Sequence, residues 1–234
     1  MADQGSPGLP QPGIRAVRRC RHSRGSRTMT DIPASERAYR YIKDAILGGR
    51  LRSTTLDIRK TGDRLRMSAT PVREALARLH SERLVRLTPH LGYTLVRLSA
   101  DRLENLYDLS GVLVDVCLHR AADPSRSGPE PGTSDVTHLD YAVVLTDLLG
   151  KIASVQSNPE LAAQISAVND RLFQAREVEP RLFPGAASEV LDLRAMWIDR
   201  NFDRLRIRLG ALHRERASAA DAIVRVLDAA ADED

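Results

Sequence analysis

Residues 68–79 form the segment that most restricts what this chain can fold into. Ser68 or Thr70 can cap a helix start here, and Pro71 fits the first helical turn, where its missing N–H is not needed. Apolar residues then recur at i, i+3, i+4 and i+7, which puts them on one helix face: Val72, Ala75, Leu76 and Leu79. The segment is therefore predicted to be a helix with one buried side and one polar side.

The elements around this helix follow from turn residues and apolar periods. Ser35 is expected to cap a first helix that ends at Gly48-Gly49, and a second helix is expected over residues 57–65. Two β segments, residues 84–87 and 93–97, are separated by a short turn. Helix, helix, turn, helix and β-hairpin, in this order, predict a winged helix-turn-helix.

Every segment after residue 98 has a helical period. A long helix is expected to start at a Ser99 cap and to end near Ala121. Further helical segments are expected at 136–156, 159–176, 185–209 and 211–231, with breaks near Pro159, Pro180 and Pro184. The predicted fold class is mainly α: an N-terminal winged helix-turn-helix with a small β-hairpin wing, followed by an all-α helical bundle.

Charge divides the chain at the same place. Residues 1–98 contain 20 Lys and Arg against 8 Asp and Glu, whereas residues 99–234 contain 15 against 23. A basic half joined to an acidic half is typical of a polyanion-binding module attached to a second domain, although solvated faces can also differ by chance. We expect a disordered basic tail at 1–34, a winged helix-turn-helix DNA-binding domain at 35–98, and an all-α effector-binding or dimerisation domain at 99–234.

Several classes of protein are disfavoured by the sequence. It has no run of about 18 apolar residues and no signal-peptide pattern, so a cytoplasmic protein is expected and no membrane partner. Cys20 and Cys117 are too few for a disulfide framework or a zinc site, and we expect one free surface thiol and one buried helix thiol. No phosphate loop, nucleophile elbow or catalytic carboxylate pair can be assembled, so neither an enzyme nor a cofactor is expected.

The helix at 68–79 carries a family resemblance. The GntR family of bacterial transcriptional regulators usually shows S-R-T-P-V-R-E-A-L at the turn and recognition helix, and residues 68–76 read S-A-T-P-V-R-E-A-L, with eight of nine positions in agreement. Residues 39–49 resemble the first helix of that family, Gly92-Tyr93 resembles the turn of its wing, and residues 98–101 resemble the linker of its FadR-like (FCD) branch. The resemblance is good over 36–122 and rests on helical pattern beyond.

The resemblance implies which residues contact DNA. The family positions that match Thr70 and Arg73 contact DNA, and this agrees with their chemistry, because Arg73 can reach phosphate or guanine and Thr70 can reach phosphate or a thymine methyl group. The predicted DNA-binding residues are Arg59, Ser68, Thr70, Arg73, Arg78, His90 and Gly92, the last two at a wing tip that enters the minor groove. The alternative for Arg73 is a solvated helix face.

Three departures from the family pattern bear on specificity. Ala69 stands where the family has Arg, Arg66 stands where it has Gly in the turn, and Thr61-Gly62 stands where Leu and Ala are usual. Losing one Arg–guanine pair removes about 1–3 kcal/mol of discrimination between bases. Sequence specificity is therefore expected to be altered, or affinity to be low.

The second domain resembles effector domains that bind a metal through an Asp and a His four residues apart and two later His. Asp170 and Gln174 resemble the first pair, with Gln in place of His, and His213 resembles a later ligand. Two remaining ligands rarely hold a metal, so none is predicted. Asp170, Gln174 and His213 are instead the predicted effector-binding residues, with an organic acid as ligand. Two alternatives are that Asp170 and His213 pair with each other, and that Asp170 is a surface residue.

The overall prediction is a homodimeric transcriptional regulator, expected to be a repressor, that binds a pseudo-palindromic double-stranded DNA operator. A small-molecule effector would change the spacing of the two wings. The alternative is a DNA-binding and dimerisation scaffold whose ligand domain is degenerate. Several arginines on the bundle helices can bind a carboxylate, but such residues more often cover a solvated face: Arg171, Arg176, Arg206 and Arg208.

Overall fold

The computed structural model describes residues 32–51, 55–122, 140–156 and 158–232. Its elements are, in order, α1 (Ala34–Leu47), α2 (Ile58–Leu65), α3 (Ala69–Ser81), β1 (Val85–Thr88), β2 (Gly92–Leu95), α4 (Ala100–Ala121), α5 (Tyr141–Ser154), α6 (Pro159–Leu182), α7 (Ala186–Ile198), α8 (Phe202–Ser218) and α9 (Ala220–Asp232). The predicted fold class is thereby confirmed. The expectations for the tail before Ile32 and for Cys20 lie outside the described residues.

An aliphatic core joins α1, α2, α3 and the hairpin. The predicted apolar stripe of α3 is no more than 2% exposed and packs against Ala38 and Ile42 of α1. The two strands are antiparallel, with Val85 opposite Leu95 at the base and Thr88 opposite Gly92 at the tip. Since its stripe is buried, α3 turns its polar side outward.

Side-chain capping explains where α2 and α4 begin. The Asp57 carboxylate accepts hydrogen bonds from the amides of Arg59 and Lys60 at 2.9 and 3.1 Å, so α2 begins where the sequence predicted. The hydroxyl of Ser99 caps α4, also as predicted. The prediction of a Ser35 cap was wrong: α1 already begins at Ala34, because the extended backbone of Pro33 occupies the N-cap position and its carbonyl receives the first helical hydrogen bond.

Three helix boundaries differ from the predictions made from prolines and periodicity. Pro180 lies inside α6 and does not end it, because a proline in the last turn removes one backbone hydrogen bond and the Phe183 amide still reaches the Glu179 carbonyl at 2.8 Å. The helix predicted over 185–209 is instead divided between α7 and α8. Arg200 turns the chain there with φ of 56°, and Asn201 caps α8. Because α8 continues through residue 210, the helix predicted over 211–231 is likewise divided between α8 and α9.

Helices α4 to α9 enclose two further apolar cores. Trp197 is 2% exposed and lies beside Phe202 with ring centroids 5.5 Å apart. Cys117 is buried with a free thiol, as predicted. Helix α6 packs against α5 and α9 and also touches α1, so it joins the helical bundle to the winged-helix region. In the described part of the chain, no helix is both long and apolar enough to cross a membrane.

Candidate nucleic-acid interface

The exposed side of α3 begins at an open helix N-terminus. Ser68 occupies the N-cap position, which was one of the two predicted caps, but its hydroxyl accepts no hydrogen bond from the first turn of α3. The amides of that turn therefore point outward with the positive end of the helix dipole. Thr70 and Arg73 are exposed on the same side. Amides, hydroxyl and guanidinium together suit a phosphate group and the base edges beside it.

The turn between α2 and α3 accounts for two departures from the family pattern. Arg66 ends α2 in the left-handed conformation, with φ of 53°, which is the conformation that favours the Gly usual there. Gly62 is buried, and its carbonyl receives the Met67 amide at 3.0 Å. A Cβ atom at position 62 would lie 2.9 Å from the Met67 carbonyl oxygen. The tight turn therefore requires glycine where the family usually has alanine.

Gly62→Ala is expected to lower the free energy of unfolding by about 1 kcal/mol, because the backbone clash outweighs the better helix propensity of alanine. Gly150→Ala in α5 is the matched control, since a Cβ atom there meets nothing within 4 Å. That substitution is expected to raise stability by about 0.5–1 kcal/mol. Urea unfolding followed by circular dichroism measures both. If Gly62→Ala raised the free energy of unfolding as much as Gly150→Ala does, position 62 would have room for a side chain.

The remaining predicted DNA-binding residues lie at three places. Arg59 is exposed in the first turn of α2, and His90 and Gly92 lie at the hairpin tip with φ of 62° and 76°. Arg78 is engaged within the protein: its guanidinium pairs with Glu36 at 2.8 Å and stacks on the Tyr39 ring at 3.6 Å. These contacts hold α3 against α1, so Arg78 is placed to orient the helix.

Two of the predicted effector residues lie at the contact between α6 and α1. Asp170 forms an ion pair with Lys43, which also lies 2.9 Å from Glu82 and donates to the Tyr39 hydroxyl at 2.8 Å. Burial alone would lower the pKa of Lys43, but these partners, Asp170 first, raise it above its ordinary value. Four residues on, the Gln174 amide donates to the Ile46 carbonyl at 2.6 Å. Both α6 side chains therefore bind the winged-helix region.

The third predicted effector residue, His213, lies inside the bundle at 3% exposure. Its Nδ1 lies 2.7 Å from the Leu209 carbonyl oxygen and its Nε2 lies 2.9 Å from the Ser110 hydroxyl. A neutral ring that donates from Nδ1 and accepts at Nε2 satisfies both contacts. The partners of His213 thus differ from those of Asp170 and Gln174, and the structure does not bring the three together. Among the described residues, no group of three His, Cys, Asp or Glu could hold a metal ion.

Burial lowers the pKa of His213 to about 4, and the positive charges of Arg176 and Arg216 act in the same direction. Because the pKa of His213 is lower in the folded protein, only the unfolded chain binds its proton between the unfolded-state pKa of about 6.5 and a pH near 4. The free energy of unfolding therefore decreases as the pH falls through this range. We expect the stability difference between wild type and His213→Gln to shrink by about 3 kcal/mol on going from about pH 7 to about pH 4. Urea unfolding across this pH range measures it, and a constant difference would contradict the prediction.

The sequence did not predict a buried polar cluster around Glu179 of α6. Glu179 of α6 is fully buried and accepts hydrogen bonds from the hydroxyls of Tyr107 and Tyr141 and from Arg216, the last at 3.2 Å. From the sequence, a solvated face was the favoured position for Arg176. This interpretation was wrong, because Arg176 is 1% exposed. Its guanidinium bonds Thr146 and Asn169. Apolar periodicity conceals such residues, because a polar side chain on a buried face breaks the pattern used to find that face.

Comparisons with known proteins agree with this geometry. Residues 34–94 match the sequence model of the bacterial regulatory proteins of the gntR family. The fold is similar to that of a Rhodococcus sp. RHA1 protein described as a GntR transcriptional regulator, at 17% identity and a TM-score of 0.61 over 80% of this chain and 96% of that one. It is also similar to E. coli McbR/YncC, at 17% identity and a TM-score of 0.55 over 81% and 97%. No curated protein sequence is significantly similar to the chain.

The two kinds of likeness carry different conclusions. At 17% identity the structural matches establish a shared fold, whereas the family match covers α1 to α3 and most of the hairpin, which position the exposed side of α3. A family of transcriptional regulators also agrees with the expectation that the chain is not an enzyme. The family match ends at residue 94, so the FadR-like branch stays a prediction. Residues 34–94 form a DNA-binding domain of the GntR family.

Proposed function

We propose that this chain is a transcriptional regulator that binds a double-stranded DNA operator through the N-terminal end of α3 and the hairpin tip. The observation that carries the proposal is the open, exposed start of α3, with Thr70 and Arg73 beside unpaired amides, in a domain of GntR type. Arg59, Ser68, His90 and Gly92 complete the proposed surface, and Arg78 positions it. Residues 35–98 then act as the DNA-binding domain and residues 99–234 as the regulatory or dimerisation domain.

The test is DNA binding by the full chain, measured by fluorescence anisotropy against duplexes from its own upstream region and against shuffled duplexes of the same composition. A regulator is expected to prefer one upstream duplex by about 10³-fold or more and to keep that preference at two salt concentrations. Equal affinity for all duplexes, with a steep loss at higher salt, would reduce the surface to a nonspecific phosphate-binding face. The scaffold alternative would then be favoured.

The proposed regulator is a homodimer, and α4 and α8 carry the surface that suits a second copy. Leu109, Val112 and Val116 follow at helical spacing on the outer face of α4 and are 40%, 63% and 40% exposed, and Ile207 on the adjoining α8 is 65% exposed. Acidic residues surround the apolar residues of α4, and basic residues surround Ile207 on α8. These are Glu104, Asp108 and Asp115 on α4, and Arg204, Arg208 and Arg214 on α8.

Opposite charges on adjoining helices suit a twofold interface, because α4 of each copy can then face α8 of the other. Val112→Glu places a charge in the apolar centre of this surface, and we expect it to give monomers and to weaken operator binding by more than tenfold. Arg225→Glu on α9 is the control, since this exposed residue lies outside the surface. Sedimentation velocity measures both variants. A dimer that survives Val112→Glu would place the interface elsewhere.

We propose repression as the effect of operator binding, and modulation by a small-molecule effector as its regulation. The observation that supports modulation is the α1–α6 contact, where Lys43 pairs with Asp170 and Gln174 binds the Ile46 carbonyl. A ligand that moved α6 would change how the winged-helix region is held, and with it the spacing of two wings. A protein acting on the bacterial chromosome in this way works in the cytoplasm. If no ligand alters operator affinity, the scaffold alternative holds.

A further inference from the structure

We propose that a cavity of about 440 Å³ between the hairpin base, α4 and α6 binds a small anion with two or more negative charges. The cavity has apolar walls from Val85, Val96 and Leu106 and an unusual number of guanidinium groups. Five arginines line it: Arg83, Arg86, Arg97, Arg102 and Arg171. Guanidinium N–H groups match the oxygens of carboxylates and phosphates in pairs, so this lining suits a polycarboxylate or a phosphorylated metabolite.

The charges of these arginines are not compensated within the described part of the chain. None of the five forms an ion pair there, whereas the buried Lys43 and Arg216 each have carboxylate partners. The negative charge of Asp170 raises the pKa of Arg171, but the Asp170 carboxylate forms its ion pair with Lys43. Concentrating like charges around one cavity costs free energy that a bound anion would recover.

The electrostatics of two lining residues agree with this geometry. Burial lowers the pKa of Arg102, and the charges of Arg83 and Arg86 lower it further. Burial likewise lowers the pKa of Arg171, with Arg83 and Arg102 acting in the same direction and Asp170 opposing them. Four of the five arginines therefore act on one another as one cluster of positive charge: Arg83, Arg86, Arg102 and Arg171.

Two of the arginines are already oriented for a ligand. The Nε atom of Arg171 donates to the Ala167 carbonyl at 3.0 Å, and the Nε atom of Arg86 donates to the Thr94 hydroxyl at 3.3 Å. These bonds hold each side chain while its terminal nitrogens keep their donors. Binding of a ligand therefore costs less side-chain entropy than it would if both arginines were unrestrained.

The position of the cavity favours a free anion over the DNA backbone. Helix α3 is about 20 Å long, and its DNA-facing start lies at the end opposite to Arg83. The hairpin likewise runs from its base at Val85 and Leu95 to the tip at Thr88–Gly92. The cavity therefore lies at the far end of both elements that the proposed function directs at DNA.

A bound anion would join the two parts of the chain, because Arg83, Arg86 and Arg97 belong to the winged-helix region and Arg102 and Arg171 to the bundle helices. Its occupancy would therefore fix the hairpin base against α4 and α6. An effect on operator affinity rests on the proposed function, but binding of the anion does not. The two can be tested separately on the full chain.

Binding is tested by calorimetry and thermal unfolding of the full chain with inorganic pyrophosphate and with citrate, at an ionic strength matched by sodium chloride. We expect saturable binding of one anion per chain and a Tm increase of about 5–10 °C at a hundredfold excess over Kd. Arg102→Gln/Arg171→Gln is expected to weaken binding at least tenfold. Arg181→Gln/Arg225→Gln removes the same charge from exposed positions on α6 and α9 that do not line the cavity, and is expected to bind as wild type does.

The unliganded Arg102→Gln/Arg171→Gln variant is expected to unfold at the wild-type Tm or above it, because it removes repulsion, so its loss of binding cannot be attributed to unfolding. Tight binding of pyrophosphate alone would identify a phosphorylated ligand, and of citrate alone a polycarboxylate; either supports the proposal. It is overturned if sodium chloride raises Tm equally, or if both double variants bind equally well. It is also overturned if neither anion binds while Arg102→Gln/Arg171→Gln weakens operator binding, since the arginines would then belong to the DNA surface.

Discussion

Replacing Glu179 by alanine is expected to lower the free energy of unfolding by about 3–5 kcal/mol. Glu179 is fully buried and joins three helices through hydrogen bonds from Tyr107 of α4, Tyr141 of α5 and Arg216 of α8. Removing the carboxylate leaves two buried hydroxyls without an acceptor and weakens the compensation of a guanidinium that is 1% exposed. The burial of Arg216 makes this loss larger than the loss of a surface ion pair would be.

Urea unfolding of Glu179→Ala measures this effect, beside Glu179→Gln and, as a control, Glu74→Ala at an exposed position of α3. Glutamine keeps the side-chain volume and one acceptor oxygen, so we expect it to cost less than alanine, about 1–3 kcal/mol. The control should stay within about 0.5 kcal/mol of wild type. A loss below about 1 kcal/mol for Glu179→Ala would show that the cluster contributes little to stability. Such a small loss would be explained by Glu189, whose carboxylate lies 2.7 Å from the Arg216 guanidinium and still compensates its charge.

The part of the fold that could be predicted is the part specified by local signals. Asp57 caps α2 because its side chain reaches amides two and three residues away, and the apolar stripe of α3 repeats within eight residues. Both signals act over one or two helical turns, so the sequence shows them directly. The division between α7 and α8 has no such signal in glycine or proline. Arg200 adopts a left-handed conformation there, and only the Asn201 cap could have indicated a new helix start.

The candidate sites depend on contacts that no local pattern reveals. Lys43 and Asp170 are far apart in sequence, and the resemblance alone suggested an effector role for Asp170. Their pairing depends on how α6 packs against α1, which is a tertiary property. The same holds for the five arginines of the cavity, which come from the α3–β1 turn, the hairpin and two bundle helices. Sequence reasoning found the residues of α3 because a single helix presents them together.

Arg73→Ala is expected to weaken binding of the preferred operator by about 10–100-fold, which corresponds to about 1–3 kcal/mol. Arg73 is exposed on α3 one turn beyond Thr70 and forms no ion pair within the described residues, so its guanidinium can reach DNA without first breaking an internal contact. Since the side chain is exposed, the free energy of unfolding should change by less than about 0.5 kcal/mol. Fluorescence anisotropy with the operator and with shuffled duplexes, at two salt concentrations, measures the effect.

The pattern of the loss identifies what Arg73 contacts. If it reads a guanine, Arg73→Ala should weaken operator binding more than binding to shuffled duplexes, and preference at one base pair should relax. If it binds a phosphate, all duplexes should lose affinity alike and the salt dependence should fall by about one counterion. Arg225→Ala on α9 removes the same charge outside the proposed DNA and dimer surfaces and should leave affinity within about twofold. Equal losses in Arg73→Ala and Arg225→Ala would mean that overall charge governs binding, and the proposed recognition role of α3 would be withdrawn.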